Sequence, residues 1–169
     1  MSMSKANSDC KPTPLSARML LNPVHLFSLG FGTGLAPRAP GTFGTLLAVP
    51  LYLGLRPLPL ELYLLVVAAA FALGVLICAA TARAAGVHDH PAIVWDEVVG
   101  YLVCMSAAPS GWVYVVTGFA LFRLFDIWKP WPIRIMDRQL RGGFGIMFDD
   151  VVAGVYGLVL LQLLVRLVQ

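Results

Sequence analysis

The chain has 169 residues, 12 Lys and Arg against 9 Asp and Glu, and a formal net charge of +3. It is 59% hydrophobic and 12% charged, with a mean hydropathy of +0.80. Soluble domains are roughly 45–50% apolar, so an ordinary soluble domain is excluded and an integral membrane protein is expected; the length allows one domain. The bases are not interleaved with surface aromatics, which excludes a nucleic-acid footprint. Three widely spaced cysteines (Cys10, Cys78, Cys104) show no zinc or C-x-x-C spacing.

Residues 1–20 are polar and weakly basic, and are expected to form a disordered cytoplasmic tail. The remaining 21–169 are expected to form one membrane-embedded domain. Asn22-Pro23 is a helix start, Asn as cap and Pro in the first turn. That helix should be short and interfacial, because Gly30, Gly32 and Gly34 follow. LAPRAPGTFGT (35–45) reads either as a plain turn or as a loop that approaches a phosphate through its amides and threonines. It is not a Walker A loop. Apolar segments then run over 42–55, 60–81, 93–108, 112–127 and 151–168, separated by Pro, Gly and charged turns. The fold expected is all-α: a compact membrane bundle of about five spans, the first of them uncertain.

Basic residues orient it. With a cytoplasmic N-terminus, Lys5, Lys11, Arg18, Arg38, Arg83, Lys129, Arg134, Arg138 and Arg141 face inward, and only Arg56 and Arg166 face outward. Asp89, Asp96, Glu97, Asp126, Asp137, Asp149 and Asp150 then come out on the same inner side, although they played no part in the orientation. Carboxylates at membrane depth are costly and are functional or paired. Asp96 and Glu97 are neighbours on a helix, as are Asp149 and Asp150. Helix capping explains one of the second pair, and Arg123 with Asp126 fits a salt bridge at i,i+3. His88 and His90 face the site only if their loop is extended. Taken together, the acids favour a hard cation such as Mg²⁺ or Mn²⁺. Nearby Lys and Arg favour phosphate chemistry on a lipid headgroup.

The charge-dense centre is 123–150, which holds nine of the 21 charged residues. Other lipid-phosphate signatures are absent: Cys78 and Arg83 are too close for a Cys-x5-Arg loop, no Asp-x-Asp motif occurs, and Pro109-Ser110-Gly111 is followed by Trp112 instead of His. Four stretches do carry a resemblance: NPxHLxxxGFGTGLxPxxPGTxGT (22–45), GVHDHxxIVWDEVVG (86–100), FRxxDIWKPWPIRxxD (122–137) and GGxGIMxDDVVAG (142–154). In these the chain resembles the bacterial phosphatidylglycerophosphatase A family.

The resemblance implies a Mg²⁺-dependent enzyme of the bacterial cytoplasmic membrane, multi-pass, with its site facing the cytoplasm. It would remove the terminal phosphate of phosphatidylglycerol phosphate, in phospholipid biosynthesis. The family's acidic motifs fall on Asp96, Glu97, Asp126, Asp149 and Asp150, expected as metal ligands and catalytic groups. Thr33, Thr42, Thr45, His88, Arg123, Lys129, Arg134 and Arg138 are expected to bind substrate. The expected chemistry is in-line attack by activated water, with an aspartyl-phosphate route open. Two other classes fit the composition: a small transporter or ion relay, and a non-catalytic binder of anionic lipid. Against the first, the acids gather at one interface; against the second, there are seven of them.

The orientation is directly testable. A cysteine replacing Arg141 should be labelled by an impermeant thiol reagent from the cytoplasmic face, and labelling from the outside alone would overturn it.

Overall fold

A computed structural model describes residues 15–87 and 89–168, without the side chains of Asp137, Arg138 and Val168. Most of the expected N-terminal tail, and His88, therefore lie outside the described residues; residues Ala17–Leu21 form a 3-10 turn. The described residues form seven α-helices and no strand: α1 (Pro23–Ser28), α2 (Pro40–Leu55), α3 (Leu60–Ala85), α4 (Trp95–Cys104), α5 (Trp112–Trp128), α6 (Ile133–Gln139) and α7 (Gly142–Val168).

α1 starts as its sequence dictates, with the Asn22 side chain accepting from the Val24 amide at 3.0 Å and Pro23 at the first position. The glycine-rich stretch that follows is less open than its composition suggests. Gly30–Leu35 is a 3-10 segment, and α2 begins at Pro40 on a left-handed Ala39. Thr42 and Thr45 are thus helical, and the expected loop over 35–45 ends six residues early. Proline tolerates this because the first amide of a helix has no intrahelical partner to lose.

Two helices, Leu60–Ala85 and Gly142–Leu167, are long and apolar enough to cross a membrane. Of the five expected spans, only these two reach spanning length among the described residues. α2, α4 and α5 have 16, 10 and 17 residues, about 24, 15 and 26 Å at 1.5 Å per residue. The hydrocarbon core is roughly 30 Å thick. α4 stops at Cys104 although the apolar run continues to Ala108. Some of the carbonyls at and beyond its end are taken by side chains of the long helices. Tyr63 donates to the Leu102 carbonyl at 2.6 Å, and the Gln162 amide donates to Ala107 at 3.0 Å. An irregular turn inside the molecule is tolerable when its polar groups are met in this way.

α7 starts at Gly142, well before the expected Val151. The glycines of Gly142-Gly143-Phe144-Gly145 read as a break. Instead they admit close neighbours: a Cβ on Gly143 would run into the Val75 carbonyl of α3.

α4 is the centre of the core, buried on eight of its ten residues. It runs parallel to α7 with the backbones touching. A Cβ on Gly154 would collide with the Gly100 carbonyl oxygen, one on Gly100 would lie 2.7 Å from the Asp150 carbonyl, and one on Gly157 would lie 2.6 Å from Cys104 Sγ. Gly154→Leu should therefore lower stability by roughly 1–3 kcal/mol or more, as overpacking does. Gly54→Ala has open space around it and should be neutral or gain about 0.5–1 kcal/mol from helix propensity. Thermal unfolding in detergent compares the two; equal effects would contradict the close approach.

Candidate functional site

The site begins at the first turn of α4. The Val94 amide donates to the Ser28 carbonyl at 3.0 Å. Trp95 Nε1 donates to the Ala70 carbonyl at 3.0 Å, and its ring meets Phe27 edge-on at 5.8 Å. These contacts from α1 and α3 fix the azimuth of α4, and with it Asp96 and Glu97. Asp150 comes from α7. It lies one turn before Gly154, as Asp96 lies one turn before Gly100. The glycine contact between the helices therefore brings both acids to one level.

One carboxylate oxygen from each of Asp96, Glu97 and Asp150 lies within 4.8 Å of the other two. Asp96 is 8% exposed and Asp150 4%. Asp96 Oδ1, Glu97 Oε2 and Asp150 Oδ2 are buried with no hydrogen-bond donor among the described residues. Three like charges at this separation repel strongly in a low dielectric, and a buried carboxylate without a partner is costly. A hard divalent cation, which takes oxygen ligands, would fit this donor set.

The other two acids are held by bases. Asp126 accepts from Arg123 Nη1 at 2.5 Å, across the i,i+3 face that the sequence marks. The same Nη1 lies 3.9 Å from Glu97 Oε1, so Arg123 leans on the edge of the acid group. Asp149 accepts from Lys129 Nζ at 2.6 Å. Lys129 ends α5 in a left-handed conformation, φ 44°. Asp149 and Asp150 both lie about two turns inside α7. The helix-capping explanation for one of them therefore does not apply, and adjacent positions send them to different neighbours.

The threonines divide in the same way. Thr45 is fully buried, and its hydroxyl donates to the Gly41 carbonyl at 2.9 Å. Thr33 donates to the Gly30 carbonyl at 2.8 Å. Both protons are used within the local backbone. Thr42 is half-buried in the first turn of α2. Arg134 is exposed on α6. His90 is buried and its Nδ1 accepts from the Ala92 amide at 3.1 Å, which shapes the loop before α4. The Arg138 side chain and His88 lie outside the described residues.

Gly41 is a site residue that motif reading passes over as loop. A Cβ there would collide with Glu97 Oε1 and lie 3.0 Å from Arg123 Nη1. The amino end of α2 thus borders the acids. Gly100 and Gly154 carried a signal that was open to reading, since each follows an acid by four residues, Asp96 and Asp150.

The phosphatidylglycerophosphatase A family model matches residues 26–165. A phosphatidylglycerophosphatase A of Escherichia coli is 49% identical over 86% of this chain and 85% of its own length. One of Haemophilus influenzae is 47% identical over 86% of this chain and 91% of its own. A Bacteroides thetaiotaomicron protein with the provisional name phosphatidylinositol-3-phosphatase is 40% identical over 80% of this chain and 89% of its own. No solved structure matches. A family match across nearly all the helices, with two relatives near half identity, settles the membership: the chain belongs to the phosphatidylglycerophosphatase A family of phosphatase enzymes.

Proposed function

We propose that the chain hydrolyses the terminal phosphate monoester of phosphatidylglycerol phosphate, releasing phosphatidylglycerol and inorganic phosphate, as a step of phospholipid biosynthesis. The reading makes it a single multi-pass domain of the bacterial cytoplasmic membrane, with its acids facing the cytoplasm. The observation that carries it is the buried group of Asp96, Glu97 and Asp150, bordered by Arg123, in a chain of this family. The membrane setting is supported by the two long apolar helices. It is also supported by exposed apolar side chains along α3, Leu65 and Leu76 among them, and by exposed Trp112 and Trp128 at opposite ends of α5.

Asp96, Glu97 and Asp150 fit Mg²⁺ and are the residues that would hold it. When bound, the ion supplies positive charge against the phosphate and acidifies water at neutral pH. The protein does the rest by positioning, since phosphoryl transfer leaves little covalent work to side chains. Water bonds to phosphorus in line as the ester oxygen of the glycerol leaves and takes up a proton. Arg123, locked by Asp126 and facing Glu97, offers guanidinium N–H groups to the phosphate oxygens. Lys129, held by Asp149, brings a second cation to the same side. The first turn of α2, where Gly41 packs against Glu97 and Thr42 follows it in sequence, presents amides where an anion is favoured. Asp126 and Asp149 act in this reading as positioning acids for the bases, not as ligands. Arg134 and Arg138 serve the phosphodiester.

Phosphate release from purified protein tests the reading. Asp96→Asn, Glu97→Gln and Asp150→Asn should each lower release at least about a hundredfold, the scale of losing one well-placed electrostatic group. Excess Mg²⁺ should restore part of it. Chelation should abolish wild-type activity. Wild-type release that survives chelation contradicts the cation, and three variants within a few-fold of wild type contradict the site. Phosphatidylinositol 3-phosphate, run alongside, should be the poorer substrate; the reverse preference would move the chain toward its Bacteroides thetaiotaomicron relative.

A further inference from the structure

A recess of about 890 Å³ opens next to the acids, walled by Ala120, Arg123, Leu124, Ile127 and Trp128 of α5 and by Arg134 of α6. The α5 residues recur at helical spacing and form one face. Leu124 is 51% exposed, Ile127 71% and Trp128 62%, so the apolar wall is open to the surroundings. Both charged residues of the recess are arginines, and no carboxylate lines it. Arg123 belongs to both places. Its Nη1 meets Asp126 and faces Glu97, while its Nε is buried without an acceptor among the described residues.

An apolar strip that ends in two guanidinium groups beside a phosphate-handling site matches one kind of occupant. That occupant has an apolar tail, an anionic group, and a second phosphate beyond it. We propose that this recess seats the phosphatidyl part of the lipid substrate and admits it sideways, along α5. One acyl chain lies against Ala120, Leu124 and Ile127. Arg134 binds the phosphodiester bidentately, as a planar guanidinium can. The terminal phosphate then passes Arg123 to reach the acids. This rests on the lipid phosphatase reading and adds to it where the lipid lies and which residue selects for the diester. A soluble phosphate compound would use the guanidinium groups and leave the apolar wall idle, so the two sources can be told apart.

The test measures KM and kcat of the purified full chain in micelles. One substrate is phosphatidylglycerol phosphate; the other is its deacylated, water-soluble counterpart. Ala120→Trp narrows the recess from an exposed position. It should raise KM for the acylated substrate at least tenfold more than for the deacylated one. Arg134→Gln should raise KM for both, because both carry the phosphodiester, and Arg134→Lys should recover part of the loss. If Ala120→Trp does not fold, Ile127→Ser, at an exposed position of the same wall, replaces it and should show the same split between the two substrates. Wild-type activity on the lipid with KM unchanged in both variants overturns the recess and leaves the function standing. Equal effects of Ala120→Trp on both substrates also count against it. A wild type that releases no phosphate from the lipid overturns the function, and this inference with it.

Discussion

The approach of α4 to α7 is the constraint on which the site depends. Two helices normally sit 8–10 Å apart, held off by their side chains. Here Gly100 and Gly154 remove the side chains at the crossing, and each backbone meets the other directly. Asp96 and Asp150 lie one turn back from those glycines and are drawn level as a result. A Cβ on Gly154 would run into the Gly100 carbonyl, and one on Gly100 would meet the Phe122 ring and the Asp150 carbonyl, so either would push the helices and their acids apart. Small residues at helix contacts are the usual means of close packing in membranes, where no solvent drives helices together. In this chain the same device places charge.

The remaining charges are arranged around that group. Arg123 and Lys129 are set by Asp126 and Asp149, which keeps two cations near the acids without placing them between the carboxylates. Each base costs rotamer freedom to hold, and a partner acid fixes it in advance. Positive groups at the rim and unmet oxygens inside are the arrangement that the proposed cation within and phosphate outside would require. Gly41 brings the amino end of α2 to the same rim. Four separate segments of sequence, near 41, 96, 123–129 and 150, thus serve one small volume.

Much of this was legible in the residues. The Asn22-Pro23 start, the long apolar run of α3 and the Arg123–Asp126 pair follow from local rules, because their partners are near in sequence. The division of labour within Asp149-Asp150 did not follow. Neighbours on a helix point about 100° apart, and only the packing of α7 on its neighbours decides which one joins Asp96 and Glu97 and which one meets Lys129. Glycine misled twice for the same reason. In 142–145 and in 41–45 it reads as loop, while the fold uses it to let other groups come close. The run 93–108 reads as one span because hydropathy does not show that α4 stops at Cys104 and that Tyr63 and Gln162 meet carbonyls of Leu102 and Ala107.

The most direct measurement is binding of Mn²⁺, a paramagnetic substitute for Mg²⁺, to the purified full-length chain, read by the loss of the free-ion resonance signal. About one ion per chain should bind to the wild type, and Asp150→Asn should weaken that binding roughly tenfold or more. A folded wild type that binds no ion, or an Asp150→Asn variant that binds as tightly as wild type, would contradict the account.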